Sequence, residues 1–171
     1  MNKFLSSREE GFTLVELLIV VIILAVLAAI VVPQFSASTN DAKAAALKAN
    51  LANIRAAIDF YYQEHGEYPG DLIATGATCV NGAAVATGAA DTEDALLAQL
   101  TRYTNADGLA CTGKDATTFK YGPYLKGDMP VNPEGTKNDV AVVSAGVLGL
   151  TSGGTGGWRY DSVTGEFISD Q

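Results

Sequence analysis

The chain has 171 residues, room for one domain with a core of its own and rarely for two. Apolar residues make up 48% and crowd the N-terminal quarter, and the formal net charge is −8. That balance argues against a groove for DNA or RNA, which needs clustered Lys and Arg, so no nucleic-acid partner is expected; it suits a self-repelling surface in water.

Residues 1–11, MNKFLSSREEG, are polar and mixed in charge. Phe12-Thr13-Leu14-Val15-Glu16 then opens an apolar run, and Leu17 to Val32 holds no polar residue. At about 1.5 Å per helical residue, Phe12 to Val32 reaches about 31 Å, close to the hydrocarbon thickness of a bilayer. A helix apolar on every side suits a membrane span or the centre of a bundle. Lys3 and Arg8 precede the run, and the next cation is Lys43, a bias that places the N-terminus in the cytoplasm and the bulk of the chain outside it. A cleaved signal peptide ending near Ala37 or Ser38, a plain signal anchor and a lipoprotein signal are the ordinary readings of such a run. The first fits poorly with its length and with Glu16; the last lacks a nearby Cys. A carboxylate costs up to about 2.5–3.5 kcal/mol at the centre of a membrane helix, so Glu16 is a functional candidate with a partner to be found. No basic residue lies within one helical turn, so the partner must come from elsewhere, and the N-terminal amine of a neighbouring subunit could serve.

Pro33 lacks an N–H and is expected to kink or locally melt the helix. Helical character resumes at Asp41, where Leu47, Leu51, Ile54, Ile58 and Tyr61 fall on one face. Gly66 suits a left-handed cap and Pro69 blocks continuation. His65, the single histidine, is expected to be a solvated residue beside the cap.

Gly70 to Ala90 reads as a loop. Asp91 to Asp94 supplies an N-cap and an acidic first turn to a short helix through Leu100. Asn105 to Gly108 marks a turn, while Thr117–Tyr121 and Val140–Val143 favour strand. Trp158–Asp161 and Glu166–Ile168 flank a closing hairpin turn. The fold class is α+β: one long helix packed on a small antiparallel sheet.

Cys79 and Cys111 are too far apart in sequence for a redox or zinc motif. If this part is exported, a disulfide is the natural reading, with two buried thiols as the alternative. Closing that loop is worth roughly 3–4 kcal/mol in the chain-entropy model. Catalytic motifs are missing: no GxSxG, GxxxxGK[ST] or HExxH occurs, and the chain reads as a non-enzyme. The Gly153–Gly157 run opens no helix and reads as a flexible connection rather than a phosphate loop. Asp128, Asn132, Glu134, Asn138 and Asp139 crowd a late loop whose oxygens suit Ca²⁺, with a solvated polar loop as the alternative.

Gly11 followed by FTLVELLIVVIILAVLAAIVVPQF resembles the class III signal and N-terminal helix of type IV pilins and type II secretion pseudopilins. The resemblance covers about thirty residues, and the Glu9-Glu10 pair departs from leaders that are often basic. It implies cleavage between Gly11 and Phe12 by a prepilin peptidase, methylation of the Phe12 amine, and pairing of Glu16 with the Phe12 amine of the adjacent subunit. It further implies a self-assembling helical filament with other pilins or pseudopilins, an inner-membrane assembly platform and lipid as partners. The chain then divides into a leader (1–11), a transmembrane and filament-core helix (12–33), an amphipathic helix (34–66) and an α+β head (67–171) in the periplasm or outside the cell. The GEYP stretch at Gly66–Pro69 is similar to pseudopilins, and LKGDMPVNP resembles the region where major pseudopilins place calcium. A secretion pseudopilus and a surface pilus for adhesion, motility or DNA uptake both remain open, as does a signal-anchored exported enzyme or binding domain.

Overall fold

The computed structural model describes residues 11–71, 79, 81 and 89–171. It divides into two compact units, Met1–Ala42 and Lys43–Gln171. The division falls inside one helix, α1 (Leu14–His65), so the amphipathic half of that helix is part of the same unit as the residues that follow it.

In the first unit every described side chain is exposed. Pro33 lies inside α1 and its neighbours on both sides are helical, so the local melting expected there does not occur. A proline withholds a single N–H, and the turns before and after it keep their own hydrogen bonds.

The second unit is built on the stripe read from the sequence. Ile54, Ala57, Ile58 and Tyr61 are buried, and Leu47 and Leu51 are half-buried against the same cluster. Gly66, at φ 78°, ends α1 and donates its N–H to Tyr62 O at 2.8 Å, as a left-handed cap should. Helix α2 (Glu93–Thr101) starts at Thr92, whose Oγ1 accepts from Ala95 N at 3.3 Å. Leu96 and Leu100 of α2 enter the core beside α1.

Strands β1 (Tyr103–Thr104) and β2 (Ala110–Cys111) pair antiparallel around the Asn105 turn. Asn105 Oδ1 accepts from Leu109 N at 2.8 Å and Asp107 N at 3.2 Å, which fixes that turn. Gln99 of α2 stitches it inward: its Nε2 donates to Gly108 O at 2.9 Å while its Oε1 accepts from Gly70 N at 2.6 Å. Both amide groups of this buried side chain are thereby satisfied.

Strands β3 (Val140–Val143), β4 (Trp158–Asp161) and β5 (Phe167–Ser169) form a sheet in the order β3-β4-β5. The β4–β5 hairpin is the expected one, with Tyr160 opposite Phe167. The β3–β4 pair is parallel, so the sheet is mixed where an antiparallel one was expected. The run between these strands is long enough for the return crossing that parallel pairing requires. On central β4, Trp158 and Tyr160 share a face and meet Ile54, Ile58 and Phe167. Trp158 Nε1 donates to Pro130 O at 2.7 Å and Tyr160 Oη to Pro69 O at 2.8 Å, so each buried ring has its polar atom paired. Arg55 of α1 reaches the sheet edge, donating from Nε and Nη2 to Phe167 O at 2.9 and 2.7 Å.

The strand expected at Thr117–Tyr121 is absent. Asp115 turns the chain, accepting from Thr117 N at 3.0 Å, and only the isolated bridge of Tyr121 to Thr104 follows. Its β-branched and aromatic residues serve another purpose: Phe119 is fully buried against Leu109 and Cys111 in a small satellite core.

Candidate functional site

Gly11 and Phe12 precede the helix as irregular backbone. A Cβ at Gly11 would meet nothing within 4 Å, and Phe12 is 79% exposed, so the Gly11–Phe12 peptide bond is open to another molecule. Residues 1–10 of the expected leader lie outside the described residues.

Thr13 and Glu16 form a reciprocal cap at the start of α1. Glu16 N donates to Thr13 Oγ1 at 3.3 Å, while Glu16 Oε2 accepts from Thr13 N at 2.9 Å and from Thr13 Oγ1 at 2.7 Å. This is a capping box, legible as Thr13-x-x-Glu16 but missed in the sequence, where Glu16 was read as a carboxylate with no local partner. The correction is specific: Thr13 satisfies one oxygen of Glu16. Its other oxygen, Oε1, has no hydrogen bond among the described residues. The group can therefore hold the helix end and still accept an incoming donor.

Beyond this cap, α1 is long and apolar enough to cross a membrane by length and composition, and its apolar side chains from Leu14 to Val32 are exposed. No described residue covers them, and a contiguous exposed apolar surface of this kind marks a face for lipid or other chains.

The remaining candidates were placed in the second unit. Cys79 and Cys111 are joined, with Cα atoms 5.9 Å apart. The bond ties residue 79 to the β1–β2 hairpin beside Phe119. In the late loop Asn132 is buried and its side chain is committed. Its Nδ2 donates to Gly157 O at 2.6 Å and Ser169 Oγ at 2.8 Å, and its Oδ1 accepts from Glu134 N at 3.1 Å. Asp128, Glu134, Asn138 and Asp139 are exposed around it. Among the described residues no three of His, Cys, Asp and Glu gather to hold a metal ion.

His65 is not the solvated residue expected. It stacks on Tyr61 with ring centroids 4.1 Å apart, and its Nε2 lies 3.0 Å from Thr104 Oγ1 and 3.1 Å from Tyr124 Oη. Burial lowers its pKa against smaller opposing effects of the Ala106 carbonyl, Glu64 and Glu67. The ring is a packing residue that joins α1 to the β1–β2 hairpin.

The Gly-rich run was expected to be a flexible connection, and it is instead an anion cradle filled from within the chain. Asp170 is fully buried. Its Oδ1 accepts from Gly153 N, from Gly154 N at 3.0 Å and from Ser152 Oγ at 2.9 Å; its Oδ2 accepts from Thr155 Oγ1 at 2.5 Å and Thr155 N at 3.3 Å. Gly154, at φ 75°, turns consecutive N–H groups toward one point, the geometry of an anion nest. Burial pushes the Asp170 carboxyl up, and the donated hydrogen bonds, Thr155 hydroxyl foremost, outweigh it and hold the pKa at about 2. No sequence motif announces this pairing, because its halves are seventeen residues apart.

Residues 6–32 match the family model described as the prokaryotic N-terminal methylation motif. The chain is 42% identical over 62 residues to type II secretion system core protein G of Pseudomonas aeruginosa, covering 36% of this chain and 44% of that protein. It is 36% identical over 63 residues to the protein of the same name from Klebsiella pneumoniae, covering 37% and 45%. It is also 33% identical over 72 residues to a fimbrial protein of Neisseria meningitidis serogroup B, covering 42% of each. The chain thus matches under half the length of these relatives. No solved structure matches it at a significant level.

Proposed function

We propose that this chain is a structural subunit, not an enzyme, of a type IV pilin-like filament. It is cut between Gly11 and Phe12 by a prepilin peptidase, methylated on the Phe12 amine, and held in the inner membrane by one span with its N-terminus in the cytoplasm. The second unit then lies in the periplasm or outside the cell. Other pilins or pseudopilins and an inner-membrane assembly platform are its partners. The observation that carries this reading is the open Gly11–Phe12 bond one residue before the Thr13–Glu16 cap, inside the matched motif.

The geometry supports the order of events. Cleavage after Gly11 spares both bonds to Glu16, because both come from Thr13. It also creates a cation at Phe12 beside a helix with no other charge in its apolar stretch but Glu16. Oε1 of Glu16 is then open to the amine of the next subunit. In a medium of low dielectric, that pairing relieves two desolvated charges together and favours one axial register between subunits.

The machine proposed first is a type II secretion pseudopilus, supported by the core protein G similarities and by Gly66-Glu67-Tyr68-Pro69. The fimbrial similarity over 72 residues favours a surface pilus as the second reading. Deleting the gene and scoring export of folded proteins against surface filaments separates the two. Filaments sheared from cells and probed for this chain test the shared claim; their absence, with the chain retained as a dispersed membrane monomer, would reject it.

A further inference from the structure

The C-terminal end of α1 carries acid where a helix favours base. A helix ends in a partial negative charge that disfavours carboxylates in its last turn. Glu64 stands in that turn and Glu67 just past it, and between Arg55 and Arg102 the sequence holds no Lys or Arg. His65 is no substitute, because burial lowers its pKa and leaves the ring largely uncharged at neutral pH. Among the described residues Glu64 has no ion-pair partner.

Glu64 forms one wall of a notch of about 300 Å³, which Phe60, Gly122, Pro123 and Tyr124 complete. Phe60 and Glu64 are four residues apart on α1 and share a face, where Phe60 is 60% exposed. The opposite wall is a pinned corner. Tyr124 N and Leu125 N both donate to Leu100 O of α2, at 2.8 and 2.9 Å. Gly122 takes φ 68°, and a Cβ there would lie 2.7 Å from Arg102 O and 3.1 Å from the Tyr124 ring, so the corner closes only around glycine. The Tyr124 ring meets Tyr61 edge-on with centroids 5.3 Å apart, and its hydroxyl donates to Glu64 Oε2 at 2.5 Å. That bond orients the carboxylate and occupies one oxygen. The other, Oε1, accepts no hydrogen bond from the described residues.

An exposed ring, an exposed proline and an oriented carboxylate with a free oxygen make a receptor for a flat cation. A guanidinium stacks on an aromatic face while its N–H groups donate to a carboxylate; a lysine ammonium is a compact point charge without that plane. Charge complementarity therefore selects a cation, and shape selects arginine.

We propose that the Phe60–Glu64–Tyr124 notch binds an arginine side chain presented by another protein. The chain's own arginines are committed elsewhere. Arg55 is bonded to Phe167 O, Arg102 to Thr101, and Arg159 is half-buried. Arg8 precedes the cut proposed above. The contact needs no filament, and only the removal of Arg8 depends on that processing.

Titrating the full chain in detergent with acetyl-Gly-Arg-Gly-amide, and following the ring resonances of Phe60 and Tyr124, tests the site. A saturable shift is expected. The citrulline peptide keeps the shape and loses the charge, and should bind about tenfold more weakly; the lysine peptide should bind about threefold more weakly. Phe60→Ala and Glu64→Gln, both at exposed positions, should each weaken arginine-peptide binding by about threefold or more, with the melting of the second unit unchanged. The chain is titrated unassembled, so these outcomes are separate from whether a filament forms. No saturable shift, equal binding of the citrulline or lysine peptide, or binding untouched by both substitutions would overturn the assignment.

Discussion

The two units use similar residues to opposite ends. Residues 14–32 and the stripe from Ile54 to Tyr61 are both helical and apolar, yet the first is exposed on all sides and the second is buried on one. The difference lies in what surrounds each. The second has polar residues on its outer faces and a sheet with α2 to pack against; the first has neither, and one carboxylate at its start. An apolar helix without a polar face needs apolar partners on every side, and no described residue of this chain supplies them to residues 14–32. Its stability belongs to the environment it enters, and that of the second unit belongs to its own core.

Substitutions separate the two most sharply where each depends on a single group. Glu16→Ala is expected to abolish filament recovery, a drop of more than tenfold, while the chain is still made and cut and the melting of the second unit is unchanged. Normal filament yield from that variant would remove Glu16 from assembly. Trp158→Ala is the converse case. The ring is fully buried and its Nε1 is bonded to Pro130 O, so loss of about 3–5 kcal/mol is expected in thermal or urea unfolding. A loss below about 1 kcal/mol would mean the core does not centre on β4.

Smaller effects follow from charge. The folded pKa of Asp170, about 2, lies below its ordinary value of 3.8. The folded state therefore favours the ionised form, so this contribution is complete above about pH 4 and is lost as pH falls toward 2. Asp170→Asn is expected to cost on the order of 2 kcal/mol at neutral pH and to flatten that part of the pH–stability profile. An unchanged profile would show the nest to be inconsequential. His65 acts in the same direction at higher pH. Its folded pKa is lowered from 6.5, the unfolded chain binds the proton more readily, and stability is lost as pH falls below about 6.5. His65→Gln should remove that shallow decline, visible as a small change in melting temperature between pH 7 and pH 5.

What was legible follows the range of the interactions. The Leu47–Tyr61 stripe, the Gly66 cap, the Thr92 cap and the β4–β5 hairpin each depend on residues a few positions apart, and pattern reveals them. The parallel β3–β4 pair and the Asp170 nest join segments more than a dozen residues apart, and no local pattern encodes either. Phe119 shows a second limit, because a β-favouring residue can be selected for the pocket it fills rather than for a strand. Glu16 shows a third. A carboxylate that is costly in a membrane also caps the helix, and the capping bonds from Thr13 fall on one of its two oxygens.

The central claim is that this chain is cut at an open bond just ahead of that cap, and the N-terminus of the mature protein tests it most directly. Intact mass and N-terminal sequencing of the chain from native membranes or sheared filaments are expected to give N-methylated Phe12 as the first residue. A chain beginning at Met1, or after Ala37 or Ser38, would contradict the account and leave an exported domain on an ordinary signal.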